Sequence, residues 1–363
     1  MAAGSCRTVQ GEPIHVYVPA SERRDRAQGH DRKPEPGPDG VRILVASQLD
    51  PDALTALREG HDVVTAIGAS ETELCHAVRD REAIVFRSGV TLSRAVFDAG
   101  AQLRLLVRAG SGLDNLDLAD VNRRGIHLER VPGPGAQAVA ELTFGLLLCL
   151  ARGIVVADRK LRDGHWAKSE LTGHGLAGKT LGIVGVGSIG RRVAELGRAW
   201  GMVPIGCVRH RTPEREQSSA EDGIRLDDLA AVLEESDFVT VHVPLDESTR
   251  GLIGRPELAR MKRGSFLVNI ARGGVVDEGA LLDALRARDT LHGAALDVHV
   301  NEGEGRISPL AGLPNVVLTP HIGAATVDAQ REIGREVIRI VDRYAEPDPD
   351  AAAVATLAGS GRE

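Results

Sequence analysis

From Val41 onward the chain alternates short apolar runs with amphipathic stretches. VRILVAS (41–47) is compact and apolar, fit for a buried strand, and DPDALTALREG behind it has helical spacing. HDVVTAI, ETELCHAVRD, AIVFRSG, LSRAVFDAG and LRLLVRAGSG continue in the same manner. A Pro/Gly breaker, VPGPGAQ (131–137), interrupts the series, and AVAELTFGLLLCLAR then reads as a helix apolar nearly all round. Such a helix must be buried, and a second subunit is its expected cover. A second series runs from TLGIVGVG (180–187) through PIGCVR, DFVTVHVP, SFLVNIA and GAALDV to VVLTP. The last helix, DAQREIGREVIRIVDRYA, should pack back on the first series.

This alternation predicts an α/β fold: two Rossmann-like domains, each a parallel sheet with helices on both faces, and a cleft between them. The expected division is 41–136 plus 322–347 for a discontinuous, flavodoxin-like substrate-binding domain and 137–321 for a dinucleotide-binding domain. Residues 1–40 are polar, charged and carry Pro and Gly, so a disordered leader is expected there, and a flexible tail over 348–363.

At 363 residues the chain is long for one core, which fits two domains. A formal charge of −7 argues against a nucleic-acid partner, which would meet a basic surface. No apolar run reaches the length of about 18 residues that spans a bilayer, and the first 40 residues lack the apolar core of a signal peptide. No membrane partner and a cytoplasmic location are therefore expected. Cys6, Cys75, Cys149 and Cys207 show no CxxC spacing and no clustering with His, so reduced thiols and no metal site are expected. Arginine outnumbers lysine 39 to 5, so a single arginine says little by itself.

GVGSIG (Gly185, Gly187, Gly190) ends a strand-like run and opens RRVAELGRAW. The first glycine permits a tight turn, the second lets backbone approach a pyrophosphate, and the third lets helix and strand pack closely. A helix N-terminus there would meet phosphate charge with unpaired N–H groups. An NAD site places an acid about 20 residues on, against the ribose 2′-hydroxyl. Val208 stands at that place, followed by Arg209, His210 and Arg211. A guanidinium suits a 2′-phosphate that a carboxylate would repel. NADP(H) is therefore the preferred coenzyme, with NAD(H) possible.

Reduction of a 2-keto acid needs the carboxylate held, the carbonyl polarised and a proton delivered. Arg272 follows FLVNIA at a strand's carboxyl end, where parallel sheets bind ligands. His321 follows VVLTP as the candidate acid/base, and Glu302, beyond AALDV, could orient its ring. His242 inside a strand-like run, His292 between helix and strand, and His299 near Asp297 are its rivals. On the other half, Arg87, Ser88, Gly89 and Val90, with Arg108, are candidate substrate-binding residues; the backbone of Ser88–Val90 could form an anion nest.

With these motifs in this order, the chain resembles the D-isomer-specific 2-hydroxyacid dehydrogenases over roughly Val41 to Tyr344. The resemblance implies Arg272 as substrate anchor, His321 as acid/base, Glu302 as its partner, and Asp297 against the nicotinamide carboxamide. It implies cofactor contacts at Ser188, Ile189, Val243, Pro244, Ile270, Ala271, Ile322, Gly323 and Ala324, and at Ser111 from the other domain. Arg87, Arg108 and Arg152 match basic positions in the phosphoglycerate dehydrogenase branch, while Arg209 and Arg211 look like NADP-using glyoxylate/hydroxypyruvate reductases. The expected substrate is thus a small 2-keto acid such as hydroxypyruvate, glyoxylate or 3-phosphohydroxypyruvate, turned over by a homodimer. On this reading the chain would lack the regulatory domain of many phosphoglycerate dehydrogenases. Two departures stand out: His299 where the family has an aromatic, and Gly303 where it has proline. They predict a mobile Glu302 loop and make Glu304 a weaker alternative partner. A dinucleotide-sensing corepressor on the same fold is the alternative function.

Overall fold

The computed structural model describes residues 40–113 and 115–345. The leader expected over 1–40 (residue 40 aside) and the tail expected over 348–363 lie outside the described residues. Among the described residues, twelve strands form two parallel sheets.

The first sheet contains β1 (Arg42–Val45), β2 (Asp62–Thr65), β3 (Ala83–Phe86), β4 (Leu105–Arg108) and β5 (His127–Arg130), in the order β2-β1-β3-β4-β5. Its helices are α1 (Pro51–Gly60), α2 (Glu71–Ala77), α3 (Arg94–Ala99) and α4 (Leu118–Arg123). β1, β3 and β4 are apolar because both faces are covered. β5 was not expected: HLER is polar and largely exposed, an edge strand that pairs only with β4.

α5 (Gly135–Arg152) and α6 (Ile154–Arg162) lead to the second sheet. That sheet holds β6 (Thr180–Val184), β7 (Val203–Cys207), β8 (Arg225–Leu226), β9 (Phe238–Val241), β10 (Ser265–Asn269), β11 (Leu291–Leu296) and β12 (Val316–Leu318). Its order is β12-β11-β10-β9-β6-β7-β8. The six expected runs are all present, and the two-residue edge strand β8 adds a seventh. α7 (Ser188–Ala199), α8 (Pro213–Glu221), α9 (Leu229–Glu235), α10 (Arg255–Arg260) and α11 (Glu278–Ala287) supply the crossovers. The strand order reverses between β6 and β9, and a crevice opens at the carboxyl ends of strands at such a point.

The final helix, α12 (Val327–Ala345), buries Ile333, Val337, Ile340 and Val341 in the core that also holds Ile43, Leu57 and Val107. His61 ties this helix to β1: its Nδ1 accepts from Val41 N–H, and its Nε2 lies 3.0 Å from Asp342.

α5 packs partly within its own chain. Its buried face, including Ala140, Phe144, Leu146 and Leu147, shares a core with Leu181, Val193, Phe238 and Phe266 of the same chain. The other face, with Leu142, Leu148 and Leu150, is only partly buried. Its 18 residues are long and apolar enough by composition to cross a bilayer, but half of that length is buried within its own chain.

Candidate active site

Strand ends deliver the site. The fingerprint follows β6, and each glycine has a visible reason. Gly185 has φ 105°, and a Cβ there would crowd the His242 carbonyl at 2.9 Å. A Cβ on Gly190 would overlap the Gly185 carbonyl, so the helix packs hard against the turn. A Cβ on Gly187 would meet nothing, since this residue faces open space at the N-terminus of α7. No side chain caps that helix, so its first N–H groups and positive dipole end suit a dinucleotide's phosphates.

One cleft brings together Gly187, Ser188, Ile189, Val243, Pro244, Ile270, Ala271, Arg272, Asp297, His321, Gly323 and Ala324 from the second half of the chain. Arg87, Ser88, Arg108 and Ser111 line it from the first half. An adjoining recess is lined by Ser47, Gln48, Thr91 and the Ser88-Gly89-Val90 turn, and shares Arg87 and His321 with the cleft.

Beyond β10, the buried Asn269 holds the turn that presents Arg272. Its side chain accepts from Ala271 N–H at 3.1 Å and donates to the Arg272 carbonyl at 3.0 Å. Gly273 is obligatory because a Cβ would overlap the His299 carbonyl of the neighbouring loop. Beyond β11, that loop is held by two hydrogen bonds. Glu278, buried at the start of α11, accepts from Val300 N–H at 2.7 Å, and His299 N–H donates to Glu302 Oε1 at 3.1 Å.

Glu302 Oε2 lies 2.8 Å from His321 Nδ1. Glu302, not Glu304, meets the ring. Burial pushes the Glu302 carboxyl up, but the hydrogen bond and charge of His321, with help from His299, hold it below the ordinary carboxylate value overall. His321 itself adopts φ 54°, a left-handed conformation. Asp297 enforces it: its carbonyl accepts from His321 N–H at 2.7 Å, and its carboxylate accepts from Ile322 N–H, Gly323 N–H and Thr319 Oγ1 at 2.6–2.9 Å.

The rival histidines are placed differently. His242 sits just past β9 and lines the cleft; burial pushes its imidazole down to about 3, so it stays neutral at physiological pH. Both its ring nitrogens are buried without a partner. His299 turns Nε2 to the Thr319 carbonyl, 3.0 Å away. His292 packs against His174 and Phe266.

Beyond the glycine turn, Gly185, Val208, Arg209 and Arg215 line a further cavity. Arg209 is paired with Asp246 at 2.5 Å, and its hydrogen bond holds that carboxyl far below its ordinary value. Arg211 does not line this cavity; it pairs with Glu216. Asp228, an acid the ribose argument did not count, lines the cavity while capping α9. Arg108 is buried, donates to the Gly112 carbonyl at 2.8 Å and lies over Phe86. Arg152 is exposed and outside the cleft. Sequence reasoning missed Asn269, Glu278 and Gln330. Each is a polar residue that acts by holding backbone or another side chain, and no motif logic marks such a role.

Residues 144–323 match the family described as D-isomer specific 2-hydroxyacid dehydrogenase, NAD binding domain. The chain is 40% identical over 295 residues to D-3-phosphoglycerate dehydrogenase of Methanocaldococcus jannaschii, covering 81% of this chain and 55% of that one. It is 39% identical over 300 residues to hydroxypyruvate reductase of Thermotoga maritima, covering 82% and 96%. The solved NADPH-dependent glyoxylate/hydroxypyruvate reductase of Sinorhizobium meliloti, in complex with NADP and malonate, superimposes with a TM-score of 0.71 at 30% identity, covering 81% and 90%. The chain thus spans about half the length of the phosphoglycerate dehydrogenases it matches and nearly all of the hydroxypyruvate reductase. It belongs to the D-isomer specific 2-hydroxyacid dehydrogenase family.

Proposed function

We propose that this protein is an NADP(H)-preferring reductase of small 2-keto acids, yielding D-2-hydroxy acids, and that NAD(H) is its weaker coenzyme. One observation carries the reading: His321, its ring backed by Glu302, and Arg272 line a single cleft beside the glycine cradle. Bound in that cradle, a nicotinamide dinucleotide supplies the hydride. The permanent charge and planar fork of Arg272 hold the substrate carboxylate and polarise the adjacent carbonyl. With Nδ1 engaged by Glu302, the His321 ring has Nε2 left to protonate the carbonyl oxygen as the carbon is reduced. Ser188, Ile189, Val243, Pro244, Ile270, Ala271, Asp297, Gly323, Ala324 and Ser111 would hold the coenzyme, with Val208 and Arg209 at its ribose.

The coenzyme preference rests on Val208 where an acid would favour NAD, and on Arg209 and Arg215 beside it. Arg211 takes no part in our reading, since it does not line that cavity. Arg108 shapes the loop over Phe86, and Arg87 is the cation offered to the substrate's far end. Substrates with a polar or anionic group beyond the keto carbon, of the hydroxypyruvate or 3-phosphohydroxypyruvate type, fit that placement. Residues 41–136 with 322–347 would act as the substrate domain, and 137–321 as the coenzyme domain. A homodimer in the cytoplasm completes the reading; Cys75, Cys149 and Cys207 are unpaired, as suits a reducing compartment.

The test is a panel of glyoxylate, hydroxypyruvate, pyruvate and 3-phosphohydroxypyruvate with each coenzyme. We expect turnover, with kcat/KM for NADPH about tenfold or more above NADH, a difference of about 1.4 kcal/mol. No turnover of any acid with either coenzyme would overturn the function; a clear NADH preference would overturn the coenzyme assignment.

A further inference from the structure

Arg87 stands where the reaction cleft meets the adjoining recess. Burial pushes its guanidinium below the ordinary arginine value, and no described carboxylate pairs with it. Its side-chain partner is neutral: Arg87 Nη1 donates to Gln330 Oε1. The other end of that amide, Nε2, donates to the Ala324 carbonyl at 2.6 Å. A guanidinium has only donors and a carbonyl only acceptors, so one orientation of the amide satisfies both. Gln330 on α12 therefore joins the end of β3 to the turn that begins at His321.

We propose that Gln330 is a positioning residue that aims the Arg87 charge at a second anionic group on the substrate and ties it to the turn carrying His321. The inference rests on the keto-acid reading above and deepens it. A half-buried cation held by a neutral amide has no carboxylate paired with it, which is costly until an anion arrives. A carboxylate at position 330 would neutralise Arg87 in advance and would face the Ala324 carbonyl with a second acceptor.

The experiment uses the full chain with NADPH and compares wild type, Gln330→Glu and Gln330→Met on 3-phosphohydroxypyruvate and on glyoxylate, which has no second anion. NADPH fluorescence titration checks that each variant keeps its coenzyme site. We expect Gln330→Glu to raise KM for the phosphorylated acid about tenfold more than for glyoxylate, with kcat changing roughly threefold at most. Gln330→Met, which keeps the Arg87 charge but loses its aim, should show a smaller rise. Equal rises on both substrates, a Met variant as impaired as the Glu variant, or a wild type that takes glyoxylate but refuses the phosphorylated acid would each overturn the inference. Those outcomes leave the reductase standing. A wild type inert toward both acids with either coenzyme would instead bring down the function itself.

Discussion

His321 combines two conditions that a side-chain list hides: an acid partner at 2.8 Å and a left-handed backbone. That backbone costs a non-glycine residue about 1–2 kcal/mol, and the Asp297 hydrogen bonds around the turn offset it. The motif TPHIGAA marked the imidazole, because a strand end is where a parallel sheet offers chemistry. It did not mark the strain, because φ depends on a carboxylate twenty-odd residues upstream. The depressed Glu302 carboxyl means that this group stays ionised through neutral pH, and its contribution to the fold is lost only as pH falls through its folded value. Reduction consumes the imidazolium proton, so its rate should fall as pH rises. Glu302→Gln keeps an acceptor but removes the charge that favours the imidazolium. It should move the falling limb to lower pH by about one unit and cut kcat roughly tenfold to a hundredfold. A pH–kcat profile with limb and plateau both unmoved would count against Glu302 as the partner.

At the scale of elements, loops after strands are where the sequence was hardest to read. The strands of both sheet centres were legible, since burial on two faces leaves unbroken apolar runs such as AIVF and SFLVN. The edges were not: HLER and the two-residue β8 are polar and half-covered, so they carry no apolar signal. Val–Asn–Ile–Ala–Arg–Gly–Gly showed its arginine but not the reason for its first glycine. Gly273 is where the Arg272 turn passes under the His299 carbonyl, so the loops bearing the cation and the carboxylate are set by one another. The atoms in the way, the His299 carbonyl carbon and oxygen and the Val300 nitrogen, are all backbone. Gly273→Ala should therefore push the Glu302 loop away from His321, costing about 1–3 kcal/mol of stability and a larger share of kcat than of coenzyme affinity. Thermal melts, turnover and NADPH titration on one preparation check this. A variant with wild-type turnover would show that the two loops move independently.

For the molecule as a whole, the alternation of strands and helices was enough to predict the fold class, because parallel sheets with covered faces leave few other arrangements. What alternation could not predict was where α5 would bury its apolar surface, since periodicity reports that a face is covered and not by what. The structure answers for one face of α5 and leaves the other, with its neighbour, open. α6 has no buried residue, and Ile154, Leu161 and Trp166 are 47%, 59% and 79% exposed along one short segment. Clustered large apolar side chains on a surface are uncommon unless a partner covers them. A second copy is the occupant that our reading assigns, because the half-buried Leu148 and Leu150 of α5 precede that segment directly. Leu161→Asp with Trp166→Ser should then convert a dimer to a monomer in light scattering behind size exclusion. The catalytic residues lie on other strand ends, so the monomer should still bind NADPH. A wild type that is already monomeric at micromolar concentration, or a double variant that stays dimeric, would remove α6 from the interface.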